Sequence, residues 1–109
     1  MKKLILGTTS YRDRMLSLEL DLFERGHDVR MPFFDDCEHD ALSLCEKNRA
    51  LIEWADEIHI FWDNRSVGFI FDMGMIFMAR KPIVIEHIEH KTLEQVIRGY
   101  AKQVTLTPV

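Results

Sequence analysis

The sequence predicts a single α/β domain built on a parallel sheet. Short apolar runs alternate along the chain with longer segments of helical spacing, which is the pattern of βαβ units. Right-handed crossovers then place helices on both faces of the sheet. The 109 residues, 47% of them hydrophobic, suffice for one domain with one core. We expect residues 1–109 to form a doubly wound, Rossmann-like sheet of four to five strands in the flavodoxin-like order 2-1-3-4-5.

The first half of the chain predicts two strands and two helices. A strand from Lys3 to Gly7 precedes a helix from Arg12 to Arg25, which Gly26 ends. A second strand runs from His27 to Phe33 and leads through an acidic loop into the second helix. The helical faces are Leu16, Leu20 and Phe23 in the first helix, and an inward stripe of Leu44, Asn48, Leu51, Ile52 and Ala55 in the second.

The second half repeats the alternation. Glu57 to Trp62 is a continuous apolar run broken by one histidine, which is typical of a strand covered on both faces. A helix from Val67 to Ala79 and a strand from Ile83 to Glu86 follow. The last predicted features are a helix capped by Thr92-x-x-Gln95, with Leu93, Val96, Ile97 and Tyr100 on one face, and an edge strand from Val104 to Leu106.

Composition excludes several classes of function. A formal net charge of -4, without a Lys/Arg tract, argues against a nucleic acid polymer as partner. The first apolar run stops at Gly7, too early for a membrane span.

Cys37 and Cys45 form no disulfide or zinc pattern, so we expect free thiols in a reducing cytoplasm. The segment from Glu86 to His90 lacks a third placed ligand, and we expect no metal and no cofactor.

The segment from Asp63 to Gly74 carries the strongest chemical signal. Ser66 and Gly68 stand at the predicted start of a helix, where free N–H groups and the helix dipole favour an anion such as a phosphate. Asp72 lies one turn further on and could present a carboxylate to a bound sugar, with Gly74 leaving space beside it. The alternative is an ordinary helix cap, because serine and glycine are common there.

The central part of the chain resembles the nucleoside 2-deoxyribosyltransferase-like superfamily, most closely its deoxynucleoside 5'-monophosphate N-hydrolase branch. The spacing agrees without a gap from Asn48 to Gly74, and a first-strand loop and a C-terminal Ile97-Arg98-Gly99 are looser matches. The matching residues are Lys47-Asn48-Arg49, Ala55-Asp56, Ile58 to Trp62, Ser66-Val67-Gly68, Asp72-Met73-Gly74 and Lys81-Pro82.

The resemblance implies roles for individual residues. Asp72 stands where the family has the glutamate that attacks the anomeric carbon, and Ser66 where a serine contacts the 5'-phosphate. Asn48 replaces an aspartate that orients sugar and nucleophile. The loop Gly7-Thr8-Thr9-Ser10-Tyr11-Arg12 is similar to the family's substrate loop. The resemblance also implies a homodimer or higher homo-oligomer, in which a neighbouring subunit completes each site, and the apolar third helix fits an interface as well as a core.

Other side chains near the proposed site have two interpretations each. Asp63 is the nearest acid for the leaving base, or a turn-forming aspartate. Trp62 could stack on a base, or pack in the core. Arg12 and Arg65 are the phosphate partners that the sequence offers, or exposed surface charges.

Two hypotheses of different class follow. The first is an enzyme, a hydrolase or transferase, that cleaves the N-glycosidic bond of a (deoxy)nucleoside or its 5'-monophosphate, or exchanges its base. Asp72 would form a glycosyl ester by retaining displacement. The second is a catalytically silent protein that binds or sequesters a nucleotide. The retained carboxylate at Asp72 favours the first, and the amide at Asn48 favours the second.

Overall fold

The computed structural model of the protein describes residues 1–32, 40–89 and 94–104. Within these ranges the chain alternates strands and helices as the sequence predicts. The elements are β1 (Lys2–Gly7), a 3-10 turn (Thr9–Tyr11), α1 (Arg12–Glu24), β2 (Asp28–Arg30), α2 (Ala41–Trp54), β3 (Glu57–Trp62), α3 (Val67–Ala79), β4 (Ile83–Ile88) and α4 (Glu94–Gln103).

The strands form one parallel sheet in the order β2-β1-β3-β4, which confirms the predicted α/β fold class and strand order. β1 lies at the centre because its apolar residues pair with β2 on one side and β3 on the other. The predicted edge strand is not found at Val104, which lies in a bend, and Leu106 lies outside the described residues. Four strands are therefore present in the described part of the chain.

Each face of the sheet has its own apolar cluster. One face packs against α2, α3 and α4. The cluster on this face includes the fully buried Leu4, Ile58 and Ile60 of the sheet and Ile76 of α3. The other face packs against α1, where Met15 and Leu22 meet Ile5 and Phe61 in a second apolar cluster. The alternation of side chains along each strand produces this two-sided core. None of the described helices is long and apolar enough to cross a membrane.

The prediction of which face of α1 is buried is wrong. Leu16, Leu20 and Phe23 are exposed, and Phe23 keeps 69% of its surface accessible. The helix instead buries Met15 and Leu22, with Leu18 partly buried beside them. Both sets recur at helical spacing, so periodicity alone does not decide which one faces the sheet.

Three element predictions need smaller corrections. β2 covers Asp28–Arg30, shorter than the predicted strand, whose last residue Phe33 lies outside the described residues. β4 extends two residues beyond Glu86, because pairing with β3 continues past an irregularity. In α4, Ile97 and Tyr100 are buried as predicted but Val96 is 63% exposed, and Thr92, Leu93 and their capping pattern lie outside the described part.

Two glycines are required by the backbone. A Cβ on Gly7 would lie 2.7 Å from the Phe61 carbonyl oxygen and 2.8 Å from the Phe61 Cβ, so β1 and β3 approach closely only without a side chain there. Gly26 has φ +91° after α1, a conformation that other residues rarely adopt. The predicted stop at Gly26 is confirmed.

The pairing of β3 with β4 shifts register by one residue. Ile60 pairs with Ile85, but Phe61 pairs with His87, so Glu86 is the extra residue of a bulge. His59, buried in β3, lies between two carboxylates: its Nδ1 is 2.9 Å from Glu86 Oε2 and its Nε2 is 3.2 Å from Glu57 Oε1. His59, the polar residue that interrupts the apolar run of β3, is thus buried beside carboxylate partners.

Candidate functional site

A cleft of about 250 Å³ opens at the carboxyl ends of β1 and β3, between α2 and the start of α3. This is the edge at which ligands bind in parallel sheets of this order. Most of the residues that the sequence singles out meet here. The cleft is lined by Gly7, Thr8, Thr9, Leu44, Cys45, Asn48, Ser66, Gly68, Phe69 and Asp72.

The beginning of α3 forms one wall of the cleft. Ser66 is the N-cap residue, with extended backbone angles, yet its hydroxyl makes no capping hydrogen bond to the helix. A Cβ added at Gly68 would meet nothing nearer than Ser66 Oγ at 3.9 Å, so open space lies above this turn. The free N–H groups of the first turn and the Ser66 hydroxyl are therefore available to an anion.

Asp72 lies one helical turn after Gly68, on the same face of α3. Burial among apolar neighbours raises the pKa of its carboxyl from 3.8 to about 6. Within the described residues this carboxylate forms no salt bridge, and burial is the single cause of the shift. Asp72 is thus a carboxylate in a cleft, ionised near neutral pH and without a salt-bridge partner among residues 1–32, 40–89 and 94–104.

The opposite wall comes from α2. Asn48 is 6% exposed and lines the cleft, as expected for the amide on the inward stripe. Leu44 and Cys45, three and four residues earlier, line the same wall. Neither was predicted as a site residue, although their helical spacing from Asn48 is a signal that could have identified them. Cys45 carries a free thiol, as expected.

Asp63 joins two loops of the cleft and is not a free acid. Its Oδ1 accepts hydrogen bonds from the Arg65 and Ser66 amides at 2.9 and 3.0 Å, and from Thr8 Oγ1 at 3.2 Å. Burial would raise the pKa of Asp63, but these hydrogen bonds together hold it below the ordinary value. The geometry fits the turn-forming interpretation rather than the general acid.

Tyr11 does not line the cleft. Its hydroxyl donates a 3.0 Å hydrogen bond to Glu89 Oε1, at the end of β4, and its ring lies 5.1 Å from the ring of His87. Burial and the bond to Glu89 raise the pKa of Tyr11. Glu89 was not predicted to matter, because no local pattern links two residues that are 78 positions apart.

Three further predicted site residues also lie away from the cleft lining. Trp62 is 1% exposed, and its ring stacks on Phe69 at 5.3 Å, so the predicted base-stacking role is replaced by core packing. Arg65 is exposed beyond the loop, and Arg12 is half-buried at the start of α1. Neither guanidinium lines the cleft, so their role as phosphate partners stays a prediction.

Metal ligation finds no support in the described residues. No group of three histidine, cysteine, aspartate or glutamate side chains lies close enough to hold an ion in residues 1–32, 40–89 and 94–104. Of the two histidines in the Glu86 to His90 segment, His87 contacts Glu89 at 2.9 Å, and His90 lies outside these ranges.

The fold is similar to that of a solved enzyme structure, a CMP N-glycosidase, BcmB, from Clostridium botulinum. The likeness has a TM-score of 0.67, with 20% sequence identity, over 96% of this chain and 83% of that one. No protein-family model matches the chain, and no curated protein matches it. At this identity the comparison establishes the Rossmann-like α/β fold of the chain.

Proposed function

We propose that this protein cleaves the N-glycosidic bond of a nucleoside or its 5'-monophosphate, or exchanges the base, with Asp72 as nucleophile. The observation that carries the proposal is the buried Asp72 carboxylate, which has no salt bridge within the described residues and lines a cleft together with Ser66, Gly68 and Asn48. The solved structure of similar fold is that of an enzyme acting on CMP, which supports the same substrate class here. The resemblance to the deoxynucleoside 5'-monophosphate N-hydrolases points in the same direction.

In the proposed reaction, the Asp72 carboxylate attacks the anomeric carbon as the bond to the base breaks, giving a glycosyl ester with retained stereochemistry overall. Water resolves the ester in hydrolysis, and a second base resolves it in exchange. Asp72 is one methylene shorter than the family's glutamate. Because a displacement of about 1 Å can cost on the order of a hundredfold in rate, the sugar must bind close to α3.

The start of α3 is assigned to the 5'-phosphate of a nucleotide substrate. Its free N–H groups and the uncapped Ser66 hydroxyl supply hydrogen-bond donors, and the helix dipole favours negative charge. Asn48 on the facing wall donates to or accepts from a sugar hydroxyl, since an amide does both. Asp63 already accepts hydrogen bonds from both loops, so in the proposed reaction the leaving base receives its proton from solvent.

The second candidate function is binding without turnover. Asn48 favours it, because an amide stands where the resembled family has a carboxylate, and Asp72 is the one acidic side chain on the cleft lining in the described part of the chain. Such a protein would keep the anion-binding helix start and the sugar pocket while sequestering its ligand.

Release of free base from a panel of nucleosides and 5'-monophosphates separates the two candidates. For an enzyme, chromatography shows base released by the wild-type protein and none by Asp72→Ala. Asp28→Asn is the matched control, because Asp28 is an exposed aspartate of β2, remote from the cleft. Tight binding of a panel member by calorimetry, without release of base, establishes the sequestering protein instead. Equal release by wild type and Asp72→Ala would refute the nucleophile.

The surface of α3 supports self-association as part of the same proposal. Asp72 is the one charged residue between Val67 and Ala79, and the outward side chains are apolar. The exposed members are Val67, Ile70, Phe71, Phe77 and Met78. A contiguous apolar surface of this kind is typical of an interface, and Gly74 on the same side lets a second helix approach. We assign this side of α3 to a homo-oligomer contact in a cytoplasmic protein.

A further inference from the structure

Three loops meet beside the cleft, and Glu89 contacts two of them. Its carboxylate accepts a hydrogen bond from the Tyr11 hydroxyl at 3.0 Å, and its backbone carbonyl accepts one from Asn64 Nδ2 at 3.0 Å. Its backbone amide donates to the Trp62 carbonyl at 3.0 Å. The end of β4 is therefore bonded both to the loop after β1 and to the loop after β3.

The two loops that Glu89 joins both contribute residues to the lining of the cleft. The loop after β1 contributes Thr8 and Thr9, which lie three and two residues before Tyr11, while the loop after β3 leads from Asn64 to Ser66 and Gly68. Glu89 itself does not line the cleft. It can act on a bound ligand only by fixing the separation of these two walls.

The backbone conformation of Asn64 favours asparagine at the position that bonds to the Glu89 carbonyl. Asn64 has φ +59°, in the left-handed region that asparagine tolerates better than most residues, and that conformation accompanies the bond to the Glu89 carbonyl. On the other side, the Tyr11 ring packs 6.3 Å from Phe61 and 5.1 Å from His87, so the tyrosine approaches Glu89 from a fixed direction. His87 Nε2 lies 2.9 Å from the same carboxylate oxygen.

We propose that Glu89 is a positioning residue, which holds the Thr8–Thr9 wall and the Ser66–Gly68 wall of the cleft at the separation that a nucleotide requires, through Tyr11 and Asn64. The role of Glu89 in catalysis rests on the proposed function, whereas its role in ordering the two walls does not. Preorganised walls favour binding because the ligand need not order them.

Hydrogen–deuterium exchange of the ligand-free protein tests the ordering of the walls. Tyr11→Phe and Glu89→Ala both remove the bond, and we expect amides of residues 8–11 to exchange at least about threefold faster in each variant, because a small loss of local stability raises exchange. Glu89→Gln keeps an acceptor for the Tyr11 hydroxyl and should restore slow exchange. Glu24→Ala, at an exposed glutamate of α1, is the matched control. Unchanged exchange in Glu89→Ala overturns the proposal.

Steady-state kinetics with CMP tests the positioning. Glu89→Ala and Tyr11→Phe should each raise KM about tenfold, the factor that corresponds to ~1.4 kcal/mol, and leave kcat within about twofold. The double variant should show no rise beyond that of Glu89→Ala, because Glu89→Ala already removes the bond from the Tyr11 hydroxyl. Faster exchange with an unchanged KM overturns the positioning role.

The two proposals fail separately. If the wild-type protein releases no base from CMP, the catalytic proposal fails, and the Kd for CMP replaces KM as the measure of wall separation. A tenfold weaker Kd in Glu89→Ala, rescued in Glu89→Gln, then supports the positioning role, and an equal Kd in all variants overturns it.

Discussion

The Asp72 carboxyl binds its proton more tightly than an exposed aspartate because burial in the wall of the cleft removes much of its contact with water. Its pKa is raised from 3.8 to about 6 by burial, so the folded chain binds more protons than the unfolded chain between those values. Stability that Asp72 contributes below about pH 4 is therefore lost as the pH rises through about 6. Folding therefore disfavours the ionised form, which is the form that the proposed nucleophilic role of Asp72 requires.

Asp72→Asn should therefore stabilise the protein at neutral pH. We expect the free energy of unfolding to rise by about 1 to 3 kcal/mol near pH 7.5, and to be nearly unchanged near pH 4, since about two pKa units correspond to at most ~3 kcal/mol. Urea unfolding at both pH values measures the difference, with Asp28→Asn as control. An equal effect at the two pH values would contradict the burial argument.

The same carboxyl predicts how turnover depends on pH. Nucleophilic attack needs the ionised form, so kcat/KM should fall about tenfold for each pH unit below about 6 and level off above it. Base release from CMP measured between about pH 4.5 and 8 gives this profile. A rate that keeps rising through pH 8 would assign the limiting group to another residue.

Gly7 is the residue at which the sheet tolerates least change. An alanine Cβ would meet the Phe61 carbonyl oxygen at 2.7 Å, and backbone cannot move aside as a flexible side chain can. We expect Gly7→Ala to lower the free energy of unfolding by about 1 to 3 kcal/mol, the range for overpacking in a well-packed core. Gly99→Ala is the control, because nothing lies within 4 Å of a Cβ there. Thermal unfolding of the two variants makes the comparison.

At the scale of the element, the start of α3 differs from the start of α2. The Asp40 side chain accepts a 2.7 Å hydrogen bond from the Ser43 amide and so caps α2, whereas the Ser66 hydroxyl makes no such bond in α3. We expect Asp40→Ala to cost about 1 kcal/mol in stability and Ser66→Ala less than about 0.5. Ser66→Ala should weaken CMP binding instead. Denaturant unfolding and calorimetry measure both, and an equal stability loss at the two caps would show that Ser66 has a structural role.

The helices and strands also show which features of the fold can be predicted from the sequence. Helix and strand types, the strand order and the residues of the α3 wall follow from periodicity and the motif around Ser66 and Asp72, because those signals are local. The orientation of α1 does not follow, since Met15 and Leu22 recur at the same seven-residue spacing as Leu16 and Phe23. The bond of Asp63 to Thr8 and that of Tyr11 to Glu89 also escape prediction, because the partners lie 55 and 78 positions away.

At the scale of the whole molecule, apolar surface remains exposed on both sides of the sheet. Met78 on α3 is 82% exposed and Phe23 on α1 is 69% exposed. If the outward side of α3 forms the homo-oligomer contact, Met78→Glu should dissociate it and Phe23→Glu should not, because a buried unpaired carboxylate is costly. Light scattering on a sizing column gives the mass of each variant. Dissociation by Phe23→Glu alone would place the contact on α1.

The single extra residue in β4 decides which groups reach the cleft loops. Glu86 shifts the alternation of the strand, so that Ile88 enters the core beside Trp62 while His87 faces Tyr11. Without the bulge, Glu86 would lie opposite Phe61, which would expose an isoleucine and place an imidazole in a hydrocarbon interior, whereas deleting Glu86 would keep Phe61 opposite His87 and Trp62 opposite Ile88. A one-codon deletion of Glu86 should thus lower the melting temperature little more than Glu86→Ala, which also removes the carboxylate beside His59, and melting curves of the two proteins make the comparison.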